Sequence, residues 1–505
     1  MVKKVVLVNY NSYPTTLSSF LPDNGLAGLA ACLKKEGYDT VILDYNTPDI
    51  INKLYSKEQS EIESREERYC KEIADYITCI DDLCFVGFKL WTGNGFKGSV
   101  KIAENIKKRD KAIRIFGGGP HVSTFKDEIY KYTDVFDALV YDEGEEPIVE
   151  LGKFSNGKIT LENIPNIIFR KENRIITTER KKLSGLECMP FPAYDRETYP
   201  SINKKIKIIV SEWARGCVNE CNFCIHPKKS GKGYRLKSIE RIISELKNCI
   251  NQGIRTFKSG DSNTPLKHAE KVASAIIENS LDIEYAGIGS VGNISSIDLN
   301  LLKKAGWYSI FFGIESGSEY ILRKAMNKGT DIKEARDTIK RVKNAGINAV
   351  ASFIMPSPYE SEETKKETLE FILDTMPSSA PINLPMIIPG TEWASNPQKF
   401  GIELAKDYVY KSMFFSPTLL LQPIKWNFMD YRINGKDFFK IAEESNNFAK
   451  EVESRGITTQ AIDDIMIMAE HCNMPVTEFR NEIIKHLSTG NHESIEKIVN
   501  RINSS

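Results

Sequence analysis

Nowhere in the 505-residue sequence do about 18 apolar residues run together, so no membrane-crossing helix is expected. The opening segment, MVKKVVLVNYNS, has only a short apolar run that Asn9 interrupts, too brief for the core of a signal peptide. Net charge is missing too. The 68 Lys and Arg residues balance 68 Asp and Glu, which removes any global field that would draw nucleic acid or an anionic membrane. No pattern of interleaved aromatic and basic residues points to nucleic acid either. Internal repeats and low-complexity tracts are absent, which leaves an ordinary globular chain of roughly two to four domains. The expectation is a soluble, cytoplasmic protein whose partners must be read from local sites. In that reducing compartment a tight group of cysteines holds metal more readily than it forms disulfides.

What is present first is alternation. The β-branched run KVVLVN is followed by GLAGLAACLKKEGYDTVILDYN, a helix, a Gly stop and a second strand. Further strands are expected at CFVGFK (84–89), AIRIFGGG (112–119) and DALVYDEGEE (137–146). The fold class is therefore α/β, beginning with a doubly wound parallel sheet over residues 1–155. Its Gly and Pro residues fall after strands, where such sheets bind ligands: Pro22 and Gly25, then WTGNG (91–95), then GGGPHVS (117–123). Residues 156–205 alternate short strands with Pro-rich turns and read as a hairpin linker. Strand, loop and helix then repeat five or six times over 206–395, the pattern of a full or partial β/α barrel. From 396 to 505 the pattern turns mainly helical, with Met466, Met468 and Met474 as core filling.

Ten cysteines are present, and three of them stand within WARGCVNECNFCIHP (213–227). Cys32, Cys70, Cys79, Cys84, Cys188, Cys249 and Cys472 are scattered and read mostly as small buried hydrophobes. Cys217, Cys221 and Cys224 have the spacing C-x3-C-x2-C on a loop straight after the strand IKIIVS. Three thiolates can wrap three irons of a cubane and leave the fourth iron open to a ligand. Structural zinc is the competing reading, but only His226 is near enough to complete it, at a spacing unusual for zinc.

With Phe223 as its aromatic, this motif resembles the signature of the radical S-adenosylmethionine (SAM) superfamily. The resemblance implies a 4Fe–4S cluster on the three cysteines, with SAM chelating the open iron and yielding a 5′-deoxyadenosyl radical on reduction. FFGIESGSEYILRKAMNKGT (311–330) resembles the fourth barrel strand of cobalamin-linked members, which implies Glu315 in the SAM site. KSGDSNT (258–264) stands where the family binds the SAM amino group, implying Gly260, Asp261 and Ser262. IGSVGN (288–293) implies Ser290 or Asn293 toward the methionine carboxylate. Adenine contacts are implied at Ile354 and Met355, although FIMPSPYES stands where many relatives carry Gly-Leu-Pro-Gly-Glu.

LPDNGLAGLAACLKKEGYDTVILD, GGGPHVS and DEGEEPIVEL together resemble the Rossmann-like cobalamin-binding domain that precedes the barrel in one subclass. That implies cobalamin contacts at Pro22, Gly25 and Leu26, at Gly118, Gly119, Pro120, His121 and Ser123, and at Gly144 and Glu145. The Asp-x-His-x-x-Gly motif that supplies a lower-face His elsewhere is missing, so Trp91, Thr92 and Gly93 are the implied neighbours of that face. The resemblance implies a methyltransferase acting on an unactivated carbon, or phosphorus, of a small molecule. One SAM would methylate cob(I)alamin, a second would give the radical, and the substrate radical would take methyl from methylcobalamin. A flavodoxin- or ferredoxin-type electron donor is implied as partner. The alternatives are a cobalamin-dependent rearrangement or cyclisation, a non-catalytic cobalamin or redox sensor, and a radical enzyme whose first domain has lost cobalamin. Substrate contacts are expected from the C-terminal region, around MFFSPTLLLQPIKWNF (413–428).

Overall fold

The computed structural model describes residues 3–292, 296–416 and 429–504. The chain divides into two compact units, Met1–Ile206 with Val409–Asn427 and Ile483–Asn503, and Lys207–Tyr408 with Phe428–Glu482 and Ser504–Ser505. The region beyond 396 is thus shared between the units.

The first unit holds seven strands: β1 Lys4–Asn9, β2 Asp39–Asp44, β3 Leu83–Lys89, β4 Ile115–Gly118, β5 Ala138–Val140, β6 Ile167–Lys171 and β7 Arg174–Thr177. Their order is β2-β1-β3-β4-β5-β6-β7, with the first five parallel and the β6–β7 hairpin added antiparallel. Val5, Val6, Leu7 and Val8 are all buried, as expected of a central strand covered by helices on both faces. Helix Asn24–Lys35 starts where Asp23 accepts the Leu26 N–H at 2.8 Å. The order reverses between β1 and β3, and the strand ends Asn9 and Lys89 flank the crevice that such a reversal opens.

A buried polar chain braces that end of the sheet. Lys205 and Asp44 are fully buried and paired at 2.8 Å, and Tyr199 donates to the same carboxylate. The Tyr199 oxygen accepts the Asp23 N–H at 2.9 Å, and Asp23 in turn pairs with Lys89. Each charge is thereby matched, which is what makes ionised groups tolerable in a core.

The second unit opens with β8 Ile208–Ser211, followed by the two-residue strands β9 Ala214–Arg215 and β10 Arg235–Leu236. β11 Thr256–Ser259, β12 Glu284–Gly289, β13 Trp307–Glu315, β14 Asn348–Ile354 and β15 Ile382–Asn383 complete a six-stranded parallel sheet with β8, in the order β15-β14-β13-β12-β11-β8. This is the partial barrel. Helix Ile239–Ile250, capped by Ser238, buries Ile242, Ile243 and Leu246. Beyond the barrel a small antiparallel sheet, β16 Ile402–Leu404, β17 Tyr431–Ile433 and β18 Lys436–Asp437, interrupts what the sequence pattern suggested would be helical. Helix Asp463–His471 joins the barrel by polar contacts, Lys258 to Asp464 at 3.0 Å and His471 to Glu284 at 2.6 Å. Met466 and Met468 are buried and Met474 half-buried, as core filling requires. Of the scattered cysteines, Cys70, Cys84, Cys249 and Cys472 are buried, while Cys79 and Cys188 are exposed.

Candidate functional site

The three thiols sit half-buried on the segment between β9 and β10, which that strand pair closes into a loop. Gly216, at φ 98°, begins it; a Cβ there would fall 2.1 Å from the Gly233 carbonyl oxygen, so the two chain segments meet only because the side chain is absent. Asp261 anchors the approach to the loop. Its carboxylate accepts the N–H groups of Trp213 and Ala214 at 2.8 and 2.9 Å and the Thr264 hydroxyl at 2.6 Å. Further along, the Asn222 N–H donates to the Met326 carbonyl at 2.8 Å, its amide to Ala325 at 3.0 Å, and the Asn327 amide returns to Glu220 at 3.0 Å.

Burial pushes the Cys221 thiol up to about 11 and raises Cys224 as well, the neighbouring thiols adding to the effect, so metal uptake must displace protons. Among the described residues no three Cys, His, Asp or Glu side chains converge on a point able to hold a single metal ion. A cubane makes a different demand, because each thiolate takes its own iron and the sulfurs need not meet. Three thiols from one loop fit that donor set. His226 shares a hydrogen bond with Ser262 at 2.9 Å through Nδ1.

The residues implied for SAM gather at the carboxyl ends of β11 to β14. Glu315 ends β13 at φ 71°, a left-handed conformation unusual for a side chain other than Gly or Asn, and is buried. Its carboxylate lies back over Gly313, where an added Cβ would come 2.3 Å from Oε1. Lys328 meets it at 3.1 Å and stands 6.0 Å over the Phe223 ring. The Ser290 hydroxyl accepts from the Asn263 amide at 2.6 Å, and the same amide reaches the Tyr234 hydroxyl at 2.6 Å. The Gly260 N–H donates to the Ser211 carbonyl at 2.8 Å, and Ile354 is buried at the end of β14. Asn293 and residues 417–428 lie outside the described residues. Lys328, Tyr234 and Asn263 were not singled out from sequence. Lys328 stands inside the quoted 311–330 stretch, but a lone lysine there has no spacing signature.

In the first unit Trp91, Thr92 and Gly93 follow β3 at the reversal point. The Trp91 indole N–H donates to Asn9 at 2.7 Å, and the Lys89 ammonium lies 4.4 Å from its ring centre. Gly93, at φ 73°, gives its N–H to the Met413 carbonyl at 3.0 Å. His121 is buried against Phe96 and Phe125, with ring centres at 4.3 and 4.7 Å. Burial drives its pKa down to about 3, so it is neutral; Nδ1 faces the Thr92 hydroxyl at 3.4 Å, and Nε2 is buried without a partner. The structure therefore puts His121 beneath the surface and Thr92 on it. Ser123 hydrogen-bonds within the Gly119 turn and accepts the Asp142 N–H at 2.8 Å. At Gly118 an added Cβ would meet nothing closer than 3.6 Å, and Gly144 caps helix Glu145–Ser155. Pro22 and Leu26 are buried and Gly25 is exposed at the first of these strand-end turns. Thr92 and Pro120 are exposed and Trp91, Gly118 and Gly119 half-exposed, whereas Gly93 is buried beneath Phe415 and Ser416; the exposed strand-end turns beside the indole fit a broad, flat ligand.

Comparison with known proteins agrees with both readings. The family model of the radical SAM superfamily matches residues 211–372, and that of the B12 binding domain matches residues 13–152. An uncharacterised methyltransferase of Pyrococcus horikoshii is 30% identical over 280 residues, 54% of this chain and 59% of that protein. Cytidylyl-2-hydroxyethylphosphonate methyltransferase of Streptomyces wedmorensis is 22% identical over 486 residues, covering 86% of this chain and 87% of its own. The chain thus spans about three fifths of the first of these relatives (59%). Among solved structures, the radical SAM methyltransferase TsrM of Kitasatospora setae, with cobalamin and a 4Fe–4S cluster bound, superposes with a TM-score of 0.73 at 14% identity, over 98% of this chain and 100% of that one. That likeness is one of fold.

Proposed function

Because this chain belongs to the radical SAM superfamily and carries the B12-binding domain of its cobalamin-dependent branch, we propose that it methylates an unactivated carbon, or phosphorus, of a small molecule. The observation that carries the reading is that one chain holds two separate features: in its second unit a three-thiol loop bonded to the turn that bears Lys328, partner of the buried Glu315, and in its first a strand-end surface around Trp91. When bound, the cluster with SAM supplies a carbon radical, and cobalamin supplies a transferable methyl group.

The residues divide the work. Cys217, Cys221 and Cys224 hold iron. Glu315, Ser290 and the Gly260–Ser262 turn orient SAM, and Ile354 lines its adenine. Trp91, Thr92 and Gly93, none of which offers a strong metal ligand, would hold cobalamin together with the turns at Pro22–Leu26, Gly118–Ser123 and Gly144–Glu145. Glu315 and Ile354 are buried, a placement that would help shield the bound SAM from water. A flavodoxin- or ferredoxin-type carrier in the cytoplasm supplies the electron. No helix among the described residues is long and apolar enough to cross a membrane.

The test is anaerobic reconstitution with iron, sulfide, cobalamin and SAM, followed by product analysis with metabolites of the host. S-adenosylhomocysteine together with a gain of one methyl mass supports methyl transfer. 5′-Deoxyadenosine without methyl gain refutes it in favour of rearrangement or cyclisation, and failure to cleave SAM at all refutes the enzyme.

A further inference from the structure

We propose that Lys328 is a positioning residue for the iron centre: its ammonium fixes the Glu315 carboxylate and favours the reduced, more negative state of a cluster held by Cys217, Cys221 and Cys224. This rests on the cluster reading above and adds to it a residue that controls how readily the centre takes an electron.

Lys328 and Glu315 are both largely buried, with side-chain exposures of 15% and 11%, and their nitrogen and oxygen are 3.1 Å apart. A buried Lys–Glu pair contributes little by itself, because desolvation cancels much of the attraction. This lysine has further partners. It lies 6.0 Å over the ring of Phe223, which stands between Cys221 and Cys224 in the cysteine motif. Its charged partner is the Glu315 carboxylate at 3.1 Å, a contact that only the ammonium form completes as an ion pair. It is therefore a standing cation, and its proton takes no part in the reaction.

Its placement is rigid. The turn that carries it, residues 325–327, is bound to the cysteine loop by Asn222 N–H to Met326, the Asn222 amide to Ala325 and the Asn327 amide to Glu220, at 2.8, 3.0 and 3.0 Å. Trp393 adds a bond from its indole to the Ala325 carbonyl at 2.8 Å, and Lys328 closes the turn with its own N–H on Leu322 at 2.9 Å. Cation and thiols thus belong to one hydrogen-bonded piece, the condition for a fixed electrostatic effect. A one-electron carrier of flavodoxin or ferredoxin class reduces the centre and is itself oxidised by one electron; the added negative charge is attracted by Lys328 more strongly than the oxidised state is.

The test is a mediator titration of anaerobically reconstituted full-length protein, read by the electron paramagnetic resonance signal of the reduced centre, with iron content as control. Lys328→Met should lower the ratio of reduced to oxidised centre about tenfold at fixed potential, about 59 mV for one electron, and Lys328→Arg should restore it. Glu315→Gln, which leaves the cation unopposed, should move the potential the other way. Lys328→Met with full iron and an unchanged potential overturns the proposal. If that variant takes up no iron, an unchanged potential in Glu315→Gln overturns it instead. A wild-type chain that binds no iron overturns the cluster reading beneath it, a result separable from either variant outcome.

Discussion

Asp261→Asn tests how the barrel secures the approach to its cysteine loop. The wild-type carboxylate accepts from Trp213 N–H, Ala214 N–H and the Thr264 hydroxyl, at 2.8, 2.9 and 2.6 Å. Burial nevertheless dominates and pushes the pKa from 3.8 up to about 6. Ionisation is therefore more costly in the folded chain than in the unfolded one. The stabilising contribution is complete below pH 3.8 and is lost as pH rises through about 6. A shift of about two units corresponds to about 3 kcal/mol across that window. Asn cannot ionise and keeps one acceptor oxygen for the two backbone donors, at the cost of turning the Thr264 hydroxyl, about 1 kcal/mol. Relative to wild type, the variant should be about 1 kcal/mol less stable near pH 4 and at least as stable at pH 7, the difference changing by about 3 kcal/mol. Urea unfolding of the cofactor-free chain at several pH values measures this, followed by the near-ultraviolet circular dichroism of Trp213 stacked on Tyr285 at 4.1 Å. Asp463, which burial also raises to about 6, is common to both proteins and cancels in the difference. Parallel pH profiles for the two proteins would refute the reasoning.

Three further outcomes are expected. Cys221→Ala should abolish the visible iron–sulfur absorbance and SAM cleavage while leaving cobalamin bound; loss of cobalamin too would refute the separate assignment of the two sites. Gly93→Ala places a methyl 2.7 Å from the Ser416 Cβ and 2.9 Å from the Phe415 carbonyl at a φ of 73°, so thermal unfolding should show a loss of about 2 kcal/mol or more, with weakened cobalamin uptake by absorbance titration. Lys205→Met leaves the fully buried Asp44 without its cation and should cost about 3–5 kcal/mol in denaturant unfolding; a loss below about 1 kcal/mol would mean the pair is not ionised.

The parts of this molecule legible in its sequence are those written in short range. Runs such as KVVLVN and the helical spacing of Ile242, Ile243 and Leu246 report burial through local periodicity, so the doubly wound sheet and the partial barrel are readable before any coordinates. The cysteine loop is readable for the same reason, since Cys217, Cys221 and Cys224 carry their chemistry and spacing within eight positions. The polar supports are not readable, because a buried polar group is defined by partners far along the chain. Asp261 stands among the implied SAM contacts in KSGDSNT, and nothing in that stretch shows that its carboxylate also receives the N–H groups of Trp213 and Ala214, 48 and 47 positions away. His121 stands in a Gly-Pro-His turn as an implied cobalamin contact, and nothing in that turn shows that Phe96 and Phe125 pack against its ring.

Two asparagines, one in the cysteine loop and one in the turn that bears Lys328, carry that point furthest. Asn222 and Asn327 hold no metal and no charge, and neither falls in a motif that names it, yet their bonds across 103 and 107 positions seat the cysteine loop against the turn that bears Lys328. Ligand spacing states which metal chemistry a loop can support. Whether the thiols and their counter-charge are already in place when iron arrives depends on such uncharged bonds, which are worth about 1 kcal/mol each in stability but govern geometry at the centre.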